Sequence, residues 1–164
     1  MITGKNGINL IKDFESLHDG DLKLIGLQPK MDPIGIWTEG YGRAMRDKKG
    51  NFIRGLENRS LAYANITINN EVEASTALLE DLKVYEAIVG QKIRIELSQN
   101  QFDALISYTY NTGGSDNLYK LINTRASNKD IRDWFETHYV TGSGKRLPGL
   151  VRRRKAEADL YFMP

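Results

Sequence analysis

A chain of 164 residues makes one domain, or two small lobes sharing a helix, and is long enough to bury a sizeable core. Its 27% charged and 40% hydrophobic residues are ordinary for a globular protein, and a net charge of +2 is too small to imply nucleic acid, while a pI near 8.7 permits a loose attraction to an anionic polymer such as a bacterial wall. The absence of cysteine excludes disulfides, thiolate nucleophiles and Cys-ligated zinc, and two histidines, His18 and His138, are too few for a His-rich metal site.

The first fifteen residues, MITGKNGINLIKDFE, have no apolar h-region and carry charge from Lys5 onwards. No run approaches the roughly 20 apolar residues of a membrane span. The expectation is a chain that stays in the cytoplasm where it is made, without stable membrane association.

In chain order, Ile8, Ile11 and Phe14 recur at helical spacing and predict a helix over 6–16, ending by Gly20. Glu15 lies four residues after Ile11, along the edge of the apolar face. Residues 21–55 are broken by glycine and proline. Leu22–Leu27, Ile34–Thr38 and Asn51–Ile53 read as short strands, with Asp47–Gly50 as a hairpin turn. A long helix follows over about 70–89, capped by Asn70, stopped by Gly90 and buried through Val72, Leu78, Leu79, Leu82, Tyr85 and Val89.

The remainder reads as helical. Ser98 with Gln101 forms a capping box opening a helix with Phe102, Leu105, Ile106 and Thr109 inward, ended by Gly113–Gly114. Ser115 and Asn128 cap two further helices, Gly142–Ser143–Gly144 is a loop, and Pro148 starts a last helix with Leu150, Val151, Ala158 and Tyr161 inward.

Three residues carry the candidate chemistry. Glu15, beside an apolar face, loses hydration, which favours a protonated carboxyl able to donate to a leaving group. Asp32 opens the turn Asp32–Pro33–Ile34–Gly35, where a carboxylate accepts backbone bonds and stays ionised. Two carboxyl groups in contrasting environments are the pattern of an acid–base pair. Thr38, six residues on, offers a hydroxyl that holds a water or orients Asp32. Trp37 and Tyr41 read either as sugar-stacking platforms or as core residues. Each also has a plain structural reading: a helix-end glutamate, a turn aspartate and a strand threonine. The basic run Arg152–Arg153–Arg154–Lys155 fans around a helix and reads as solvated charge with one or two salt bridges. His18 reads as a surface residue and His138 as a partly buried partner of Trp134. No metal spacing or phosphate loop is present.

Taken together these segments resemble the phage-type lysozymes of glycoside hydrolase family 24. The match rests on Phe14–Glu15 after an apolar helix, on DPIGIWTEGYGR, on LSQNQFDALISYTYNTG and on GLVRRRKAEADLY, and it covers nearly the whole chain in order. The resemblance implies Glu15 as general acid, Asp32 as second acid, Thr38 beside the catalytic water, and Tyr110 as an aromatic presented to substrate. Sixteen residues separate Glu15 from Asp32, twice the family's usual spacing, which places a longer loop or hairpin around His18 to Lys30. Asp19 and Asp21 are competing acids, but only Asp32 keeps the spacing to Thr38. Arg43 stands where many members have a histidine.

The resulting expectation is an α+β lysozyme-like fold of a single domain. Residues 1–16 form its N-terminal helix, 17–65 a small antiparallel β lobe, 70–89 the connecting helix and 90–164 a larger helical lobe, with an active-site cleft between the lobes. The expected activity is hydrolysis of β-1,4 bonds between N-acetylmuramic acid and N-acetylglucosamine in peptidoglycan, as a phage endolysin. The alternatives are a lytic transglycosylase or a non-catalytic wall-binding module. The expected partner is the glycan strand, with no cofactor, no metal and no nucleic acid. The chain is expected to be a monomer that reaches the wall through a separate holin.

Overall fold

The computed structural model describes residues 1–142 and 144–164. The chain divides into two compact units, one formed by Met1–Phe14 with Leu82–Pro164 and the other by Glu15–Asp81.

Helix α1 (Lys5–Glu15) buries Ile11, as its spacing requires. Its first turn lacks an acid of its own. Instead the buried carboxylate of Asp103, distant in sequence, accepts from the backbone N–H of Gly4 at 2.8 Å and of Gly7 at 3.0 Å. Exposed donors at a helix N-terminus need such partners. Gly7 makes the approach possible, because a Cβ there would lie 2.9 Å from both Asp103 Cβ and Thr3 Cγ2. The helix ends at Glu15, one residue before the expected position 16, because Ser16 already takes the left-handed conformation with φ 61°.

The strand expected over Leu22–Leu27 does not form. Asp19 and Asp21 accept from the backbone N–H of Asp21 and Lys23, two residues on, and these local bonds compete with pairing. Leu22, Leu24 and Ile25 are left exposed. The loop is closed at its base, where the N–H of Gly20 donates to the carbonyl of Gln28 at 2.9 Å and that of Leu27 to Asn69 at 2.9 Å. A Cβ on Gly20 would fall 2.2 Å from the Pro29 carbonyl oxygen, so this crossing needs glycine.

Three short strands follow, β1 (Lys30–Met31), β2 (Trp37–Glu39) and β3 (Arg43–Ala44), paired antiparallel in that order. Lys30 faces Thr38, and Thr38 faces Ala44. Strand β2 begins later than the expected Ile34, because Asp32–Gly35 closes a turn with the Gly35 N–H on the Asp32 carbonyl at 3.0 Å. The Asp47–Gly50 turn forms as read, and Asn51–Ile53 runs antiparallel beside Met45–Asp47, with the Ile53 N–H on the Met45 carbonyl at 3.0 Å, the Asp47 N–H on the Asn51 carbonyl at 2.8 Å and a bridge between Phe52 and Arg46. So short a sheet is not stable alone. It packs on a core of Trp37, Met45, Ile53 and Ala62, the last supplied by α2 (Arg59–Ala64). The buried Glu39 ties the sheet to the following segment by accepting from the N–H and hydroxyl of Thr67 and from the N–H of Ile68.

Helix α3 (Glu71–Lys92) starts with Asn70 Oδ1 accepting from the Glu73 N–H at 3.0 Å. It runs through Gly90 instead of stopping there, since a glycine in mid-helix weakens but does not break it. Leu78, Leu82 and Val89 are buried as expected, but Val72 and Leu79 are exposed, and Ala74 and Ala77 take the inner face. Helix α4 (Gln99–Thr112) carries the full capping box and ends at Gly113 with φ 81°. Helix α5 (Asp116–Asn123) is capped by Ser115. Helix α6 (Asn128–Thr137) is capped by Ser127, one residue before the expected Asn128. After it, β4 (Thr141–Gly142) and β5 (Lys145–Arg146) pair antiparallel; of the expected loop, Gly142 ends β4, Gly144 lies in a turn and Ser143 is outside the described residues. Helix α7 (Pro148–Tyr161) has Pro148 in its first turn and packs on α4 and α6.

Arg153 and Arg154 correct the sequence reading of the basic run. They are 4% and 0% exposed, and both pair with Glu157, itself 0% exposed. Ser107 donates to Glu157 at 2.8 Å, and Arg154 donates to Asn111 Oδ1 at 2.7 Å while lying over the Tyr108 ring. Burial pushes the Glu157 carboxyl above its ordinary range, and the two guanidinium groups oppose that shift.

Candidate active site

The site is built in the β unit. Asp32 follows β1 and folds its side chain over its own turn, so that Oδ1 accepts from the N–H of Ile34 at 2.9 Å and of Ile36 at 2.8 Å. Both bonds fall on the same oxygen, and among the described residues Oδ2 accepts none. Thr38, on β2, is buried, and its hydroxyl donates to the Lys30 carbonyl across the sheet at 2.8 Å. Glu15 is half-buried at the last position of α1.

His18 joins these groups, and it is not the surface residue that the sequence reading expected. Its backbone N–H donates to the Gly40 carbonyl at 2.8 Å, and its ring Nδ1 lies 2.8 Å from Thr38 Oγ1. Burial lowers its pKa below the ordinary value, and the charge of Lys30 adds to that effect, while Glu15 and Asp32 pull in the opposite direction. Both candidate carboxylates therefore lie within electrostatic reach of one imidazole, which is itself bonded to the candidate threonine. No spacing rule could have found His18, because its partner is twenty residues away across a loop.

The aromatic expectations divide. Trp37 and Tyr41 are 5% and 6% exposed and belong to the core, so they are not sugar-stacking surfaces. Trp37 Nε1 donates to the Gly55 carbonyl at 2.7 Å, and the Tyr41 hydroxyl donates to Glu71 at 3.1 Å. Tyr110 belongs to the helical unit, half-buried and packed edge-on against Tyr85 with ring centres 5.0 Å apart. His138 stacks on Trp134 at 3.6 Å as expected, but remains exposed.

Arg43 makes the ion pair that a histidine there would make differently. Its guanidinium grips Asp81 through Nε and Nη2, both at 2.9 Å, and Nη2 also donates to the Ala77 carbonyl at 2.7 Å. This two-bond geometry is specific to arginine and locks β3 to the first part of α3.

Elsewhere, a cavity of about 370 Å³ in the helical unit is lined by Met1, Val89, Ile93, Leu97 and Phe102, with Glu96 its one titratable side chain. It lacks the paired groups that acid–base chemistry needs. Among the described residues no cluster of three or more His, Cys, Asp or Glu is placed to hold a metal ion, and no helix is long and apolar enough to cross a membrane.

A carboxylate at a helix end, a second in a hydrogen-bonded turn and a hydroxyl on the next strand are the kinds of group that acid-assisted bond cleavage uses. Comparison with known proteins agrees in class. Residues 24–157 match the phage lysozyme family. The chain belongs to that family. This phage lysozyme is thus a glycoside hydrolase that acts on peptidoglycan. It is 27% identical to the endolysin of Acyrthosiphon pisum secondary endosymbiont phage 1 over 98% of both chains. It is also 27% identical to the endolysin of Bacillus phage B103, over 99% of this chain but 54% of that protein, so it spans about half the length of that relative. The endolysin from Escherichia coli O157:H7 phage FAHEc1 superposes with a TM-score of 0.72 at 27% identity, over 99% of this chain and 94% of the other. The α+β lysozyme-like fold, with a small antiparallel β region and a larger helical part, is shared with that structure.

Proposed function

We propose that this phage lysozyme is a muramidase that hydrolyses the β-1,4 bond between N-acetylmuramic acid and N-acetylglucosamine, with Glu15 as general acid and Asp32 and Thr38 handling the attacking water. The observation that carries the assignment is the convergence on His18, whose ring bonds Thr38 and feels the charges of both Glu15 and Asp32.

The roles follow from the surroundings. Glu15 ends a helix, beside the buried Ile11 face, and supplies the proton to the leaving oxygen. Asp32 has one oxygen held by two backbone N–H groups and the other directed to the reaction, where it stabilises an oxocarbenium-like state or orients water. Tyr110 contributes an aromatic surface to the glycan. The chain acts as a monomer on glycan strands of the wall, is made in the host cytoplasm and reaches the wall after a separate holin permeabilises the membrane. Its biological role is that of a phage endolysin, lysing the host and releasing progeny.

Replacing Glu15 with Gln tests the assignment. The expected result is a loss of wall-clearing activity on the order of 10³-fold, within the range of positioned acid–base groups, with an unchanged thermal melting curve. Full activity in that variant rejects it. Mass spectrometry of the wild-type digest should show reducing muramic acid ends, and anhydro ends would mark a transglycosylase instead.

A further inference from the structure

We infer that His18 is a positioning residue of this site, donating from Nδ1–H to Thr38 Oγ1 and so fixing the hydroxyl that meets the water. The inference rests on the proposed role of Thr38.

Proton counting carries the argument. A hydroxyl has one proton, and a carbonyl oxygen can only accept. The 2.8 Å bond from Thr38 to the Lys30 carbonyl therefore uses the hydroxyl proton. The 2.8 Å contact between Thr38 Oγ1 and His18 Nδ1 then needs its proton on the nitrogen. A neutral His18 ring is accordingly the Nδ1–H tautomer.

Two of the hydroxyl's three hydrogen-bonding directions are thus taken, and what remains is a single acceptor direction. A water at Thr38 must donate to it, which orients the water's own lone pairs away from the threonine. Without His18 the hydroxyl could exchange between donating to Lys30 and donating to the water, and the orientation would be lost.

The imidazole is well placed to impose this. Its own backbone N–H is anchored to the Gly40 carbonyl at 2.8 Å, two residues beyond Thr38. The relay runs from the segment after α1, through β2, to Lys30 on β1, two residues before Asp32. The same hydrogen bonds hold the threonine in register with the second acid. His18 lies within the lengthened segment between Glu15 and Asp32, so that segment carries a part of the site as well as the exposed loop.

The test compares His18→Asn, His18→Gln and His18→Phe on a soluble glycan oligomer, each alone and with Thr38→Val. An asparagine amide nitrogen reaches the place of Nδ1, whereas glutamine reaches the place of Nε2. His18→Phe should lower kcat about tenfold, the effect of one hydrogen bond made in the transition state, with KM little changed. His18→Asn should recover most of that loss and His18→Gln should not. In the Thr38→Val background, His18→Phe should add no further loss. The ¹⁵N shift of the wild-type ring should report a protonated Nδ1 at neutral pH. An unchanged kcat in a folded His18→Phe protein, an equal loss in the Thr38→Val background, or a bare Nδ1 would each overturn the inference. The Asn and Gln variants keep the comparison open if the Phe variant melts early. An active Glu15→Gln enzyme would reject the site assignment instead, and the tautomer measurement stands apart from it.

Discussion

In the helical unit, Arg153, Arg154 and Glu157 lie out of water altogether, and their charges are answered by one another, by Ser107 and by Asn111. In the β unit, Glu15, His18 and Asp32 are only half-buried; Asp32 is held by backbone groups of its own turn, and the His18 ring by the hydroxyl of Thr38. The first cluster fixes one helix against another and leaves no group facing solvent. The second stays partly within reach of solvent, with one Asp32 oxygen held by two backbone N–H groups and the His18 ring held by Thr38. Buried ion clusters contribute to a unique packing more than to net stability, whereas half-buried ones are where acid–base function can be reached.

The contrast can be broken most sharply at Glu157. Its replacement with Leu leaves two buried guanidinium groups facing each other and should cost about 3–5 kcal/mol, read as a lower urea midpoint. A cost below about 1 kcal/mol, the value of surface pairs, would mean that the cluster is hydrated in solution. Capping comes next in size. Ser98→Ala removes one half of the α4 capping box and should cost about 1 kcal/mol, measured by denaturant unfolding, with wall-clearing activity retained at temperatures where the protein stays folded.

The smallest effect expected is the pH response of His18. Its folded pKa lies below the ordinary 6.5, chiefly through burial, so the folded state binds its proton less readily than the unfolded chain. The associated stability is fully present above that ordinary value and is lost as pH falls through the folded one. Melting temperatures of wild type and His18→Asn should therefore run parallel above neutrality and converge as the pH falls below it, before most carboxylates titrate near pH 4. Parallel curves down to pH 5 would show that His18 is as hydrated as in the unfolded chain.

Much of the helical architecture was legible because its signals close within three or four residues. Ser98 with Gln101 and Ser115 with Leu118 bond along the chain, as Asp47 does with Asn51 in the turn of the β unit, so pattern alone finds them. The misplacement at Asn128 is of the same local kind, since Ser127 is an equally good cap one residue earlier. Alternation of apolar residues misled at Leu22–Leu27, where no partner strand arrived and aspartate turns prevailed.

The amino-acid sequence by itself determined that this chain is a phage lysozyme, through the order of its segments over most of its length. Only the tertiary structure decided which charges are buried and which distant side chains meet. Arg153 meets Ser107, Gly4 meets Asp103 and His18 meets Thr38 across 46, 99 and 20 positions. A charged side chain is stable in a core only when such a partner is present, and the identity of that partner is a property of the packed fold.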